Sequence, residues 1–186
     1  MVCAMQKKSF RQWFAPAPPS ELRRTEALAE QGDAQAQFGL GLKYGNATGE
    51  ALDFPKAAQW YRKAADQNHT LAQFNLGVMY ARGQGMPVDD VEAARWINKA
   101  AELGDAAAQY NLGERCDRAG SPRAGNDLES RIEAYKWYHL AAAQGYKGSE
   151  AACELINLYL TREQVLEGNQ RAARFQERRA ALTPTT

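Results

Sequence analysis

Cysteine and histidine are scarce, and their spacing predicts no metal site. Cys3, Cys116 and Cys153 are odd in number and form no CxxC pair, so neither a disulfide framework nor a thiolate zinc site is expected. His69 and His139 belong to no HxxxH motif and have no acidic residue at metal-ligand spacing. We therefore expect no metal and no cofactor.

Long apolar runs and an excess of charge are missing as well. No segment approaches the ~18–20 apolar residues that cross a bilayer, and residues 1–8 lead into no signal-like apolar run. The net charge of +1 is far from the basic stripe of a nucleic-acid-binding protein. Cysteines without a pairing pattern fit a reducing compartment. We expect a cytoplasmic protein with no transmembrane segment and no nucleic-acid partner.

Sequence motifs of common enzyme classes are also absent. None of the five serines lies in a GxSxG motif. Gly39, Gly41 and Gly45 miss the GxGxxG phosphate loop by one residue and fall inside a predicted helix rather than after a strand. No catalytic residue is therefore predicted, and we expect a protein that is not an enzyme.

The sequence does contain one ten-residue segment that occurs three times. It reads GDAQAQFGLG at residues 32–41, NHTLAQFNLG at 68–77 and GDAAAQYNLG at 104–113. The two steps of 36 residues are a repeat period typical of a solenoid. The sequence therefore predicts an all-α superhelix of helix-turn-helix repeats.

The first helix of each repeat has an apolar stripe with a glycine beside it. Residues at i, i+4 and i+8 share one helical face; they are Ala36, Ala72, Ala108, Leu40, Leu76, Leu112, Tyr44, Tyr80 and Cys116. A glycine inside a helix costs ~0.5–1 kcal/mol relative to alanine, yet Gly41, Gly77 and Gly113 each follow the leucine. We infer that a neighbouring helix comes close there. Because Cys116 occupies the tyrosine position, a buried, inert thiol is favoured over a nucleophile.

The second helix of each repeat has tryptophan on its apolar face. Alanines flank Trp60, Trp96 and Trp137 at the spacing of an amphipathic helix, which favours a buried packing role over ligand stacking. Asp53 and Asp89 are expected to be N-caps. Gly104 and Gly145 are expected to end helices in a left-handed conformation.

These patterns divide the chain into seven segments. Residues 1–19, with aromatic and basic side chains before a proline-rich stretch, are expected to be a mobile tail and linker. This tail either docks on a partner, a membrane or a nucleic acid, or it is a disordered end or folds back on the first repeat. The remaining segments are a capping helix with Ser20 as N-cap (20–32), repeat 1 (33–68), repeat 2 (69–104), repeat 3 with a five-residue insertion in the loop 119–128 (105–145), a degenerate repeat and C-terminal capping helix (146–180) and a disordered tail (181–186).

The combined motif resembles the Sel-one-like repeat (SLR) family, a relative of the tetratricopeptide repeat. It reads A-x-A-Q-F/Y-N-L-G-x-x-Y, then a glycine-rich loop, then A-x-x-W-Y-x-K-A-A-x-x-G, and the similarity extends from about Asp33 to Gln170. The resemblance implies a right-handed superhelix that serves as a protein-binding scaffold, usually in bacteria. Some secreted relatives have a cysteine pair in each repeat, and penicillin-hydrolysing activity is attributed to a few. This chain lacks those pairs, which argues against secretion and against that activity. A hydrolase of lactam or cell-wall-like substrates is the alternative to a non-catalytic scaffold.

In such a superhelix the first helices line the concave side, which allows candidate binding residues to be named. The row opposite the packing stripe consists of Lys43, Asn46, Asn75, Met79, Arg82, Asn111, Arg115 and Arg118. Asparagine can hold a peptide backbone by donating and accepting hydrogen bonds, and arginine can bind a carboxylate with two parallel hydrogen bonds. The hypothesis is a groove for an acidic segment or a chain terminus of a partner protein. The alternative is that these residues only form solvated helix faces.

Overall fold

The structure, a computed structural model, describes residues 21–46, 52–121 and 127–182. The predictions for residues 1–19, for Ser20 and for residues 183–186 lie outside these ranges. Within them the chain forms nine helices and no strand. The helices are α1 (Glu21–Glu30), α2 (Ala34–Gly45), α3 (Phe54–Asp66), α4 (Thr70–Arg82), α5 (Asp90–Glu102), α6 (Ala106–Gly120), α7 (Leu128–Ala142), α8 (Ser149–Asn157) and α9 (Arg162–Leu182).

Most helices pack against their neighbours in the chain order. The pairs α2 with α3, α4 with α5 and α6 with α7 are the three repeats, and α8 follows them, packed on α7. The single helix α1 packs on α2, and α9 returns to pack on α7. Contacts between helices that are close in sequence are the mark of a solenoid. The predicted all-α solenoid is confirmed.

Side-chain caps fix where the repeat helices begin. Asp53 accepts a hydrogen bond from the Lys56 N–H at 2.9 Å, and Asp89 accepts from the Glu92 N–H at 2.9 Å, so both predicted N-caps are confirmed. At the start of α4 the cap is His69, whose Nδ1 accepts from the N–H of Ala72 at 3.3 Å. Such a cap satisfies backbone donors that have no partner within the helix.

Left-handed residues end the second helices. Gly104 has a φ of +95° and Gly145 a φ of +72°, which confirms both predicted caps. Asn68 takes the same place after α3 with a φ of +63°. The chain turns there into the next repeat.

The glycines of the first helices receive side chains from the second helices. A Cβ at Gly41 would lie 2.4 Å from Cδ1 of Tyr61, and one at Gly113 would lie 2.5 Å from Cδ1 of Tyr138. At Gly77 it would lie 2.7 Å from Cγ1 of Ile97. The inferred close approach is therefore present, and it involves the residue that follows each tryptophan. The leucines beside these glycines, Leu40, Leu76 and Leu112, are buried.

The three tryptophans are not equally buried, which corrects the prediction of three equivalent core residues. Trp96 is 2% exposed, whereas Trp60 and Trp137 are only partly buried. Trp60 packs at the edge of the core that α1 and α2 form, and Trp137 meets Phe175 of α9 with the ring centroids 5.3 Å apart. The adjacent residue fills the glycine notch, so each tryptophan lies where two units meet.

A buried glutamine links each repeat to the helix before it, a feature that the sequence analysis missed. The Nε2 groups of Gln37, Gln73 and Gln109 donate to the carbonyls of Ala29, Ala65 and Ala101, respectively, at 3.0–3.2 Å. Each glutamine thus bonds to the carbonyl eight residues earlier. The three side chains are at most 4% exposed, so these hydrogen bonds are shielded from water.

The insertion in repeat 3 lengthens the helices rather than the loop, because residues 83–89 join α4 to α5 and residues 121–127 join α6 to α7, seven residues in each case. Ala119 and Gly120 belong to α6 and Leu128 to α7, so the loop is shorter than the predicted 119–128; residues 122–126 lie outside the described ranges. Nε of Arg131 donates to the carbonyl of Gly120 at 2.8 Å. This bond satisfies a carbonyl at the end of α6.

The C-terminal helix covers the last repeat. Thr161 and Gln164 form a capping box, with the Thr161 N–H donating to Oε1 of Gln164 at 2.8 Å. Gly168 faces Tyr135, and α9 runs to Leu182. Ala181 and Leu182, which we expected in the disordered tail, are therefore helical.

Candidate binding groove

Two adjoining clefts bring together most of the predicted binding residues. The first cleft, between α2, α3 and α4, has a volume of about 250 Å³ and is lined by Asn46, Asn75, Met79 and Arg82 among others. The second, between α4, α5 and α6, has a volume of about 630 Å³. Its lining includes Arg82, Asn111, Arg115 and Arg118. Because Arg82 borders both clefts, we treat them as one groove.

Positive charge dominates the larger cleft. Arg82, Arg115 and Arg118 are exposed and form no ion pair with any residue that the structure describes. The side chain of Arg118 donates to a carbonyl of its own helix, that of Glu114, at 3.3 Å. One carboxylate, that of Asp90 at the start of α5, shares the cleft. Three guanidinium groups against one carboxylate leave the cleft with a net positive charge.

Three asparagines line the walls of the groove, Asn111 in the larger cleft and Asn75 and Asn46 in the smaller one. Asn75 is partly buried and forms a hydrogen bond with Tyr61, although burial dominates and raises the pKa of that tyrosine to about 12. Asn46 is exposed at the C-terminal end of α2, and its backbone N–H donates to Leu42. Its side-chain amide lines the smaller cleft.

Two of the predicted groove residues have other surroundings. Met79 lines the smaller cleft but is 4% exposed and belongs to the core of repeats 1 and 2, so it is a packing residue. Lys43 borders neither cleft. Its Nζ lies 3.5 Å from Glu26 of α1 and over the ring of Tyr44, and these contacts hold its charge beside the N-terminal helix.

A third cleft was not predicted. It lies between α5, α6 and α7, has a volume of about 430 Å³, and adjoins the groove at Arg115. Its walls include Asn98, Cys116 and Trp137. The sequence feature that could have indicated this cleft is Cys116, which replaces a tyrosine of the other repeats. We considered that replacement only for the reactivity of the thiol.

The thiols and histidines of the described residues have structural surroundings. Cys116 and Cys153 are free and partly buried; burial raises the pKa of both, that of Cys153 to about 11. Because the thiolate is the reactive form, these groups are poor nucleophiles at neutral pH. Burial lowers the pKa of the capping residue His69. In the part of the chain that the structure describes, no three potential metal ligands cluster.

Comparison with known proteins places the repeats in a family. A model described as Sel1 repeat matches residues 34–69, 70–105 and 106–146. The chain belongs to the Sel1 repeat family. Each matched segment begins one residue after the repeat that the sequence pattern predicts. Sel1 repeat proteins generally act as protein-interaction scaffolds.

Two solved structures are similar to this Sel1 repeat chain. One is a protective antigen present in uropathogenic Escherichia coli strains and displaying an SLR fold. It is 30% identical and has a TM-score of 0.68; the match covers 89% of this chain but 36% of the antigen. The other is a Sel1 repeat protein from Oxalobacter formigenes, 35% identical with a TM-score of 0.59, covering 72% of this chain and 96% of that protein. No curated protein sequence matches significantly.

The helices were also compared with the requirements for a membrane span. Within the described ranges, none combines the length and the apolar character that crossing a bilayer requires.

Proposed function

We propose that the chain is a non-catalytic scaffold whose groove binds an acidic segment of a partner protein. The observation that carries the proposal is the set of three arginines, Arg82, Arg115 and Arg118, that line the larger cleft without an ion-pair partner among the described residues. A guanidinium group can bind a carboxylate with two parallel hydrogen bonds. Side chains of aspartate or glutamate, or a terminal carboxylate, supply that chemistry.

The asparagines add contacts that do not depend on charge. The Asn111 amide lines the same cleft as the arginines, and that of Asn46 lines the adjoining one. An amide both donates and accepts hydrogen bonds, so it can bind the backbone of an extended peptide. We propose that the amides hold the peptide chain while the arginines select for acidic side chains.

A second basic cleft, about 450 Å³ in volume between α7 and α9, is a weaker candidate for the same ligand. Arg171 there lies 2.9 Å from Glu133 and 2.8 Å from Glu167 and also contacts Glu129. Lys136 is bound to Glu133. Carboxylates of the chain itself thus already occupy two of the four cations that line this cleft, and Glu177 adds another carboxylate to its lining. The three arginines of the larger groove cleft share their lining with one carboxylate, that of Asp90.

The surroundings of the described serines and cysteines give no support to the alternative function, a hydrolase. Ser130 donates to Asp127, which caps α7, and Ser149 is fully buried at the start of α8. The free thiols Cys116 and Cys153 have pKa values raised by burial. We therefore retain the scaffold, and with it the cytoplasmic location that free thiols favour.

The test is the affinity for a fluorescein-labelled hexaglutamate peptide, measured by fluorescence anisotropy. The double variant Arg82→Glu/Arg118→Glu should bind at least tenfold more weakly than the unchanged chain, because two attractive contacts become repulsive. Arg174→Glu/Arg178→Glu makes the same change of charge beside the α7–α9 cleft and should bind normally. Equal loss in both variants, or loss in the control alone, would refute the groove assignment.

A further inference from the structure

The third cleft, between repeats 2 and 3, lies where the junction of repeats 1 and 2 has a pair of large side chains. There the guanidinium of Arg62, on α3, lies over the ring of Tyr80, on α4, at 5.4 Å from its centroid. Thirty-six residues later, the same two positions hold Asn98 on α5 and Cys116 on α6. Both replacements are much shorter, and both line the cleft of about 430 Å³. The cleft is therefore space that a tyrosine and an arginine fill one repeat earlier.

The tryptophans of repeats 2 and 3 also differ in burial. Trp96, on the helix that follows Tyr80, is 2% exposed. Trp137, in the corresponding place after Cys116, is partly buried and lines the cleft. Lys136 lies over the Trp137 ring at 4.0 Å and Phe175 meets it from α9. These contacts hold the indole in place, while part of it borders open space.

We propose that this cleft receives a tyrosine side chain of the partner segment that the groove binds. An aromatic ring would replace the missing ring of the repeat and pack against Trp137, an arrangement that aromatic pairs favour. The rim has polar groups for the hydroxyl, among them Asn98, Glu102 and Ser130. The volume lies within the ~300–1,000 Å³ of small-ligand pockets.

Arg115 connects this pocket to the groove, since it lines both clefts. The ligand that fits the combined surface is a segment with acidic residues next to a tyrosine. This part of the inference rests on the proposed function, whereas the presence of an aromatic pocket does not.

The first experiment uses p-cresol, the side chain of tyrosine, as the probe. It is titrated into the ¹⁵N-labelled chain, and shifts are followed for the amides of residues 112–119 and for the indole N–H of Trp137. We expect saturable shifts confined to this region. The variant Asn98→Arg/Cys116→Tyr rebuilds the arginine–tyrosine pair of the preceding repeat junction and should weaken p-cresol binding at least tenfold. Asn98→Arg alone changes an exposed residue and should also weaken p-cresol binding.

The controls separate the pocket from the groove. Cys116→Ser keeps the volume of the side chain and should bind p-cresol like the unchanged chain. Arg82→Glu/Arg118→Glu should also bind it normally, because p-cresol has no carboxylate. Shifts that map elsewhere, or normal p-cresol binding by both Asn98→Arg/Cys116→Tyr and Asn98→Arg, would overturn the proposed pocket. A failure of the hexaglutamate experiment would refute the groove and leave the pocket unaffected.

The second experiment tests the link between the two sites. Hexaglutamate peptides with one tyrosine at each position in turn are compared with the same peptides carrying alanine. The best tyrosine peptide should bind at least tenfold more tightly than its alanine partner, and Asn98→Arg/Cys116→Tyr should remove that advantage. Equal affinities for all tyrosine and alanine peptides would overturn the link.

Discussion

Leu103 occupies a position at which the other two repeats have a glutamine. Gln67 donates to Oε1 of the buried Gln37 at 2.8 Å, and Gln144 donates in the same way to Gln109. The corresponding Oε1 of Gln73 is buried and has no hydrogen bond, because the leucine side chain has no donor. A buried acceptor without a partner costs about 1–3 kcal/mol.

The variant Leu103→Gln should therefore stabilise the fold. It supplies the missing donor at a residue that is 44% exposed, so little apolar burial is lost. We expect the free energy of unfolding to rise by about 1 kcal/mol, measured by urea denaturation. Leu103→Glu has nearly the same shape without the amide donor and should give no gain. If both variants had equal stability, the explanation by a missing hydrogen bond would be wrong.

Two glycines of the first helices allow a second comparison, because one is packed against a ring and the other is not. A Cβ at Gly113 would lie 2.5 Å from the Tyr138 ring, whereas one at Gly39 would meet only Cγ2 of Thr25, at 3.9 Å. Gly113→Ala should destabilise the chain by about 1–3 kcal/mol because the ring must move. Gly39→Ala should stabilise it by about 0.5–1 kcal/mol because alanine favours the helix. Thermal unfolding of the two variants checks the opposite signs, and the same sign in both would contradict the packing role of Gly113.

At the scale of the helices, α4 has a histidine as its N-cap, whereas the equivalent helices α2 and α6 have an aspartate. The neutral Nδ1 of His69 accepts the capping hydrogen bond, Nε2 lies 3.0 Å from Gln35, and the ring stacks on Phe38. Asp33 and Asp105 accept the equivalent bonds at 2.6 and 2.7 Å. The start of α4 is therefore sensitive to protonation of the His69 ring.

The stability of the chain should fall on mild acidification because of His69. Burial lowers its pKa below the ordinary 6.5, so the unfolded chain binds the proton more readily than the folded chain. This contribution is complete above the unfolded pKa and is lost as the pH falls from about 6.5 toward the folded pKa. Loss of the cap costs about 1 kcal/mol. Urea unfolding between pH 7.5 and 5.5 measures it, and His69→Asp should be much less sensitive in this range. Equal pH dependence in both proteins would exclude His69 as the cause.

The helix ends differ in how far the sequence could predict them. The caps at Asp53, Asp89 and Thr161 were predictable because capping depends on a few adjacent residues. The extent of the insertion in repeat 3 was not, because added residues can lengthen a helix as easily as a loop. Here α6 and α7 each have 15 residues, against 13 in α4 and α5. That choice depends on contacts across the repeat, such as the one between Arg131 and Gly120.

For the molecule as a whole, the period predicted the fold and a large part of the candidate groove. A spacing of 36 residues fixes which residues are equivalent, so Arg82, Arg115 and Arg118 could be assigned to one row before any coordinates. The open volume beside them could not be predicted, because it depends on the side chains of three helices at once. The third cleft lies where Asn98 on α5 and Cys116 on α6 are both small. The partial burial of Trp60 and Trp137 likewise depends on neighbouring units.

The most direct test of the account is to locate a bound acidic peptide on the solenoid. A hexaglutamate peptide with a nitroxide spin label at one end is added to the ¹⁵N-labelled chain, and the loss of amide signals by paramagnetic relaxation is measured. We predict the strongest losses at residues 75–82 of α4 and 111–118 of α6, and recovery of those signals in Arg82→Glu/Arg118→Glu. Losses centred on α9, around Arg174 and Arg178, or spread evenly over the surface, would contradict a groove between the first helices.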